Sequence, residues 1–355
     1  MTFQDYSLKS PSSDIPTTSR DNYKSDVKSL LRKQSRVAGP HLGRVFVEAL
    51  DSIDVAFWHK HRPVGQSYIV DCELAGTLDE QGFVMDFSSL KTHLKALLKK
   101  HIDHRLLLPL GDPCYELSQE DPSSIVWKAT KYSDNDSAVH GLQTHLHTNN
   151  EEAFYYRGPA ESVIACECME VDAVFFSDWL QKFLQRKLSE DELFSRISDV
   201  RLRLRKEVTS EYTFHYTHGL PQHKGLCHRL FHGHRSKLRV YVDGKVRIDM
   251  AKYLVKDYLK GEPFHLAEPS QIVSSRFMEV GSFGCKGEVY TLSYSSMYGR
   301  FYATIPANHV LVIARATSIE SLAFSLCQHL RQVDPRHSYR VEVYEGVNKG
   351  AIATL

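Results

Sequence analysis

The chain has 355 residues, with 44 lysine and arginine residues against 43 aspartate and glutamate residues. It is long enough for two ordinary domains, and its near-neutral balance gives no global basic field of the kind that attracts nucleic acid or an anionic membrane. No apolar run reaches the roughly 18 residues that cross a bilayer, and the first residues, MTFQDYSLKS, lack the apolar core of a signal peptide. We therefore expect a cytoplasmic protein without nucleic-acid or membrane partners.

The first part of the chain is predicted to form a tail, then strands and one helix. Residues 1–38 are rich in serine, threonine, aspartate, lysine and proline, so we expect a flexible tail there. Strand candidates follow at 45–50 and 67–76. A helix is predicted over 89–103, with Ser88 as its N-cap.

The rest of the chain alternates between strand and helix patterns. Residues 110–160 are polar and turn-rich, so we expect loops or an insertion with short strands. A helix is predicted over 174–188 and a strand over 198–208. A further helix over 318–333 and a closing strand over 339–347 complete an α+β pattern.

The seven cysteines are irregularly spaced along the chain. An odd number without an export signal favours reduced thiols over a disulfide framework. Cys166 and Cys168 form a C-x-C pair in a strand-like run without a neighbouring histidine, so we interpret them as core or edge thiols rather than a second metal site.

A histidine-rich stretch at 214–244 carries the clearest chemical signal, with six histidines and one cysteine. His232 and His234 are two positions apart at the start of an alternating strand pattern, so their side chains face the same side. His218, on the preceding strand-like run, is placed to supply a third nitrogen. Three imidazoles with one open position are typical of a catalytic zinc site, and ordinary surface or core histidines are the alternative.

The two halves of the chain show the same order of elements, which predicts an internal duplication. Gly65 and Gly233 are 168 positions apart, and Glu207 and Glu345 end corresponding strands. Under the 168-residue offset the candidate ligands face residues that are poor metal ligands: Leu50 opposite His218, Val64 opposite His232, and Gln66 opposite His234. Only the second half is therefore expected to hold the metal.

Six segments carry a family resemblance: Phe214 with His218; Cys227 before His232-Gly-His234; Asp86-Phe-Ser-Ser-Leu-Lys91; Asp103-His104 before three leucine-rich positions; Thr317-Ser-Ile-Glu320; and Glu345. In combination they resemble the 6-pyruvoyl-tetrahydropterin synthase family and, within it, the bacterial 6-carboxy-tetrahydropterin synthases. The resemblance covers nearly the whole chain after the tail, as two tandem copies.

The resemblance implies two tandem tunnelling-fold (T-fold) units, each an antiparallel four-stranded sheet with two helices on one face. The first unit, at 39–208, would be metal-free, and the second, at 209–355, would bind Zn²⁺. Units of this family assemble side by side into a barrel with sites at their interfaces, so we expect a homo-oligomer.

The resemblance also implies catalytic roles for Cys227, Asp103 and His104. The only Asp-His pair followed by leucines lies in the first half. We therefore expect the first unit to supply Asp103 and His104 to a site whose zinc and Cys227 come from the second unit, within one chain or between chains. Nearby basic residues would favour the thiolate needed in a general base. The alternatives are a simple buried thiol and a histidine that only caps a helix end.

Substrate-binding roles are implied for Glu345, Thr317, Glu320 and Arg235. A carboxylate accepts two parallel N–H bonds, so Glu345 would anchor the 2-amino and N3 edge of a pterin, whereas a solvated carboxylate is the alternative. Arg235 belongs to a basic cluster that would hold a triphosphate or, alternatively, would protect an edge strand from aggregation.

These features predict a zinc-dependent lyase that converts 7,8-dihydroneopterin triphosphate to 6-carboxy-5,6,7,8-tetrahydropterin, a queuosine precursor, with release of acetaldehyde and triphosphate. One alternative is a 6-pyruvoyl-tetrahydropterin synthase, which eliminates triphosphate but keeps the carbon side chain. The other is a noncatalytic pterin-binding protein with a structural zinc ion. The metal ligands and the ring anchor are common to these functions.

Overall fold

The structure is a computed structural model that describes residues 42–59, 62–121, 123–129, 154–278 and 287–355. The predicted tail at 1–38 lies outside the described residues. No helix in the described part of the chain is long and apolar enough to cross a membrane. The expected mixture of helices and strands is confirmed.

The elements of the first half are β1 (Leu42–His59), β2 (Arg62–Thr77), α1 (Phe87–His101), β3 (Leu106–Pro109), β4 (Tyr115–Asp121), β5 (Ser124–Ala129), β6 (Tyr155–Pro159), β7 (Val163–Cys166), α2 (Ala173–Ser189) and β8 (Ile197–Arg205). Those of the second half are β9 (Thr213–His218), β10 (His232–Val242), β11 (Lys245–Val246), α3 (Ile248–Tyr253), β12 (Phe264–Ala267), β13 (Ile272–Met278), β14 (Gly287–Ser296), β15 (Gly299–Pro306), β16 (Val310–Val312), α4 (Ile319–Val333), β17 (Tyr339–Tyr344) and β18 (Gly350–Thr354). The helices predicted near 89–103, 174–188 and 318–333 are confirmed, and so are short strands between 110 and 160.

The first sheet is built from the first half, in the order β7-β3-β1-β2-β8. One of its faces forms a hydrophobic core with α1 and α2. Leu90, Leu94 and Leu98 of α1 are buried there, four residues apart on one helix face. The N-cap of α1 is Asp86, whose side chain accepts a hydrogen bond from Ser89 N, so the predicted cap at Ser88 is wrong by two positions.

The second sheet is built from the second half and follows the path β16-β12-β9-β10-β17-β18, with β11 paired to β10. One of its faces forms a second core with α3 and α4. Apart from β11 and β18, its strand order repeats that of the first sheet.

The predicted antiparallel four-stranded sheets are wrong in strand number and in direction. Both sheets have more than four strands within the described residues. At one edge of the first sheet β3 and β7 run parallel to β1, and in the second β12 and β16 run parallel to β9. The reason is that the chain leaves each opening hairpin through a helix and returns by a crossover, which brings the next strands back in the direction of the first.

The third sheet joins the two halves, in the order β13-β14-β15-β6-β5-β4. It closes a third hydrophobic core against the faces of the other two sheets that the helices leave free; Trp58, Leu106 and Phe231 lie in this core. β4, β5 and β6, which come from the region predicted to be loops or an insertion, therefore help to connect the two halves.

A local two-fold axis passes through the middle of the third sheet. β6 and β15 hold equivalent places in the chain, because each is followed by one turn of 3-10 helix and then by a short edge strand. They are antiparallel neighbours, with Tyr156 opposite Ala303. The flanking pairs mirror each other: Tyr302 with Arg157, and Tyr155 with Thr304. The two halves thus face each other about this axis.

Strand register corrects the comparison of the two halves. Phe57 pairs with Val64 as His218 pairs with His232. Phe57, and not Leu50, therefore holds the position of His218 in the first sheet. The constant offset is wrong for this strand because a long loop joins β9 to β10, whereas β2 follows β1 almost at once.

The backbones of the two halves lie close together at Gly65 and Gly233. A Cβ atom on Gly65 would lie 2.0 Å from the carbonyl oxygen of Tyr216 and 2.5 Å from the amide nitrogen of His234. We expect Gly65→Ala to lower the free energy of unfolding by about 3 kcal/mol, because rigid backbone rather than a side chain must move. Urea unfolding measures this loss.

Gly82→Ala is the matched control for that substitution. Gly82 has φ +87°, and a methyl group added there would meet no atom of the described residues within 4 Å, so only backbone strain of about 1 kcal/mol is expected. Equal losses in the two variants would contradict the close approach at Gly65.

Candidate metal centre and its acid-base groups

Three histidines come together where β9 pairs with β10. His218 lies directly opposite His232, and His234 follows two positions along the same strand. All three residues are fully buried. The pleat that places alternate side chains on one face therefore brings the predicted ligand set together.

The ring nitrogens of these histidines are arranged for a common ligand. Nδ1 of His218 donates to the carbonyl oxygen of Thr317 at 2.5 Å, and Nδ1 of His232 donates to that of Arg229 at 3.1 Å. The Nε2 atoms of His218 and His234 are 3.3 Å apart, and the buried Nε2 of His232 has no hydrogen-bond partner among the described residues. One nitrogen of each ring lies within 4.8 Å of the others, so the three residues can hold one metal ion.

Electrostatics favours the neutral, metal-binding form of His218 and His232. Burial, reinforced by the neighbouring imidazoles, holds the pKa values of His218 and His232 well below the usual histidine value. Neutral imidazole is the form that ligates a metal.

The Asp103–His104 pair of the first half lies beside this histidine cluster. His104 follows α1 with φ +60°, and its Nδ1 lies 2.9 Å from Oδ2 of Asp103. Its ring stacks on His232 with centroids 4.9 Å apart. The structure thus brings Asp103 and His104 to the histidines of the second half within a single chain.

Cys227 lies in the loop between β9 and β10, in a single 3-10 turn. Its Sγ and one ring nitrogen each of His104 and His232 lie within 4.8 Å of one another. Burial disfavours the His104 cation, but hydrogen bonds with Asp103 and Cys227 outweigh it and raise the pKa of His104 to about 10. Arg229 of the same loop donates to the carbonyl oxygen of Asp103 at 3.1 Å, which ties the loop to the first half.

Glu345 and Thr317 both lie against the metal-ligand set. Oε1 of Glu345 is 3.8 Å from Nε2 of His218 and 4.0 Å from Nε2 of His234. Thr317 is buried, and its hydroxyl donates to the carbonyl oxygen of Gly219 at 2.9 Å. Through its own carbonyl Thr317 orients His218, a role that the sequence comparison does not suggest.

Glu320 and Arg235 are placed differently from the other predicted residues. Glu320 is exposed in the first turn of α4. Arg235 donates to the carbonyl oxygen of Glu207 at 3.0 Å, and the neighbouring Lys237 pairs with the Glu207 carboxylate at 2.7 Å. Register places Lys206, rather than Glu207, at the position corresponding to Glu345.

Two residues beside the site were missed by sequence reasoning. Asp54 is a buried carboxylate next to His234, and Lys349 lies 3.4 Å from Glu345 and 3.5 Å from Asp54. Asp54 interrupts an otherwise apolar run in β1, and that was a usable signal. Lys349 lies in a polar turn after the closing strand pattern, where the sequence offers no comparable signal.

The buried imidazoles, the thiol and the Asp–His pair define a candidate metal centre with acid–base groups at its edge. A family model described as 6-pyruvoyl tetrahydropterin synthase matches residues 57–190 and 207–260, together more than half of the chain. The chain belongs to the 6-pyruvoyl tetrahydropterin synthase family.

A curated relative matches a shorter part of the chain. Over 49 residues the chain is 47% identical to the 6-carboxy-5,6,7,8-tetrahydropterin synthase of Synechocystis sp.. The matched segment is 14% of this chain and 38% of that relative's length.

Two solved structures of similar proteins are from Plasmodium species. The 6-pyruvoyl tetrahydropterin synthase of Plasmodium falciparum is 18% identical, with a TM-score of 0.32 over 46% of this chain and 90% of that chain. That of Plasmodium vivax is 18% identical, with a TM-score of 0.32 over 48% of this chain and 94% of that chain.

Proposed function

We propose that the chain is a zinc-dependent lyase that converts 7,8-dihydroneopterin triphosphate and water to 6-carboxy-5,6,7,8-tetrahydropterin, acetaldehyde and triphosphate. The observation that carries the proposal is the meeting of three inward-facing imidazoles with Cys227 and the Asp103–His104 pair. The partial match to a 6-carboxy-5,6,7,8-tetrahydropterin synthase supports this reaction within the family.

Zinc fits the histidine set. Two nitrogens that each lie about 2.05 Å from a tetrahedral zinc ion are roughly 3.3 Å apart, and the Nε2 atoms of His218 and His234 are 3.3 Å apart. Nε2 of His232, which has no hydrogen-bond partner in the described part of the chain, would be the third ligand atom, and three protein ligands would leave a position for water or substrate. When bound, zinc polarises oxygens of the substrate side chain and makes the adjacent C–H bond more acidic.

The protein groups at the edge of the metal centre move protons in this proposal. Cys227 takes a proton from the substrate side chain as general base. His104 exchanges a proton with a side-chain oxygen, and Asp103 holds its ring in one tautomer through the contact at Nδ1. Because Cys227 and His104 are neighbours, one base and one acid reach the same part of the substrate.

Substrate binding is assigned chiefly to Glu345. Its carboxylate, 3.8 to 4.0 Å from the Nε2 atoms of His218 and His234, would accept the paired N–H groups of the pterin ring. Thr317 acts indirectly, by orienting His218. Arg235 stays a candidate for triphosphate binding, and its hydrogen bond to the Glu207 carbonyl oxygen would compete with that role. For Glu320, the proposed substrate-binding role is supported only by its exposed position in the first turn of α4.

We also propose that the two halves are copies that have lost complementary parts of two equivalent sites. Leu106 pairs with Ala56 in the first sheet, and His265 pairs with Thr217 at the equivalent place in the second sheet. Asp103 and His104, just before Leu106, therefore correspond to the two residues at the same distance before His265. At the second site the replacements are Phe57, Val64 and Gln66 for the three histidines, and Glu262-Pro263 for Asp103-His104. Arg62 binds the Glu262 carboxylate there at 3.0 Å. One zinc ion per chain follows from this proposal.

The substrate itself provides the decisive test. Zinc-loaded protein is expected to release acetaldehyde and 6-carboxytetrahydropterin from 7,8-dihydroneopterin triphosphate, and chelator-treated protein is the control. Triphosphate release without acetaldehyde would instead support a 6-pyruvoyl-tetrahydropterin synthase. A zinc-loaded sample without turnover would overturn the enzyme and favour a pterin-binding protein with structural zinc.

A cytoplasmic location and a homo-oligomer with sites at unit interfaces stay predictions. The candidate site already lies between the two halves of one chain, so its acid–base and metal-binding groups meet without a second copy.

A further inference from the structure

Asp54 is a buried carboxylate of the first half, and it faces the second half. The neighbouring Ile53 and Val55 belong to the core that α1 and α2 cover, so the strand pleat turns Asp54 toward the opposite face of the sheet. Only 3% of the residue is exposed. A carboxylate in such a place is destabilising unless hydrogen bonds or opposite charges compensate for the lost water.

The partners of Asp54 come from both halves of the chain. Ser67 Oγ donates to Oδ1 at 2.5 Å, and Nζ of Lys349 lies 3.5 Å from Oδ2. Nδ1 of His234 lies 3.2 Å from Oδ1, in a contact less well aligned than a full hydrogen bond.

His234 differs from the other two candidate ligands in what faces its Nδ1. His218 and His232 each use Nδ1 to donate to a backbone carbonyl of the second half. The corresponding atom of His234 faces a carboxylate of the first half. A carboxylate behind a metal-bound imidazole fixes the ring's orientation and tautomer and raises its basicity toward the metal.

We propose that Asp54 is a positioning residue for His234, which keeps Nδ1–H toward the first half and Nε2 toward the metal. The inference rests on the proposed zinc site, but not on the proposed reaction. It makes the first half a contributor to metal affinity as well as the source of the Asp103–His104 acid–base pair. The second half has no carboxylate at the corresponding place. His215 lies there, and its Nδ1 donates to the carbonyl oxygen of Gly65.

The test is the zinc affinity of Asp54→Asn, measured without substrate by competition with a chromogenic chelator. We expect about 10- to 100-fold weaker binding than in the unaltered protein, together with a changed visible absorption spectrum of the Co²⁺-loaded variant. Asp51→Asn is the matched control: it lies on the same strand, and its carboxylate accepts a hydrogen bond from the adjacent Ser52 amide. The control should bind zinc as the unaltered protein does.

Unchanged zinc affinity and an unchanged Co²⁺ spectrum in folded Asp54→Asn would overturn the inference. If that variant does not fold, proton and nitrogen NMR of the zinc-loaded, unaltered protein decides: the Nδ1–H proton of His234 should show a nuclear Overhauser contact to the β-protons of Asp54, and the absence of that contact would overturn the inference. Failure of the proposed function has a different signature, because the protein would then bind zinc with the Asp54 dependence intact but leave the pterin unchanged.

Discussion

Cys227→Ala is expected to lower the turnover of 7,8-dihydroneopterin triphosphate by roughly 10²- to 10⁴-fold while zinc content stays the same. The thiol lies beside His104 and His232, where it can take a proton from a substrate held at the metal. None of the hydrogen bonds that orient His218 and His232 involves its sulfur. Acetaldehyde release and zinc analysis on the same sample measure the two quantities.

Cys168→Ala is the matched control for the thiol. Cys168 is likewise a partly buried free cysteine, but it packs at the edge of the first core, where no proposed catalytic residue lies. Its turnover should match that of the unaltered protein. Undiminished acetaldehyde release by zinc-loaded Cys227→Ala would remove the cysteine from the mechanism.

His104→Asn is expected to reduce turnover by roughly 10²- to 10⁴-fold with zinc retained, because the variant loses the ring that exchanges a proton with the substrate. Asparagine is the suitable replacement, since His104 has φ +60° and asparagine tolerates that backbone conformation better than alanine. Steady-state assays of acetaldehyde release measure the change.

His93→Asn is the control, on the helix that precedes His104, because His93 is exposed and its Nδ1 contacts the Ser89 carbonyl one turn away. Turnover of zinc-loaded His104→Asn at the unaltered rate would exclude the first half from the chemistry. Mixing the His104→Asn and Cys227→Ala proteins adds a second readout. Each chain lacks one part of its own site, so an arrangement within one chain predicts no recovery of activity, whereas a site shared between chains predicts partial recovery.

The clustering of the three histidines was predictable because its information is local. His232 and His234 are separated by one residue on a strand, and the pleat fixes their common direction. His218 is their neighbour across a hairpin, so short-range pairing completes the set. The meeting of this set with Asp103 and His104 depends on packing between distant parts of the chain, and only the family resemblance suggested it.

Other features could not be predicted from the sequence because they depend on strand register and loop length. β1 contains a bulge between Val47 and Asp51, where Ala49 has φ +48°, and its turn to β2 is short. A constant offset between the halves cannot represent these differences, so it placed Leu50 where the structure has Phe57. The Asp54 contact likewise requires the packing of the two sheets, which no single-strand pattern encodes.

The local two-fold axis in the third sheet has a consequence for how such a site can evolve. In a homo-oligomer of identical single units, one sequence has to supply both sides of every shared site, so losing either side removes all sites. Two copies joined in one chain, as we propose for the two halves, would be free to diverge, each keeping the side that the other has lost, while paired strands hold them together. Joining the halves in one chain also makes their association intramolecular, with a fixed effective concentration. Activity per chain should therefore persist on dilution. The same halves expressed as separate polypeptides would lose activity on dilution, because they would have to associate first.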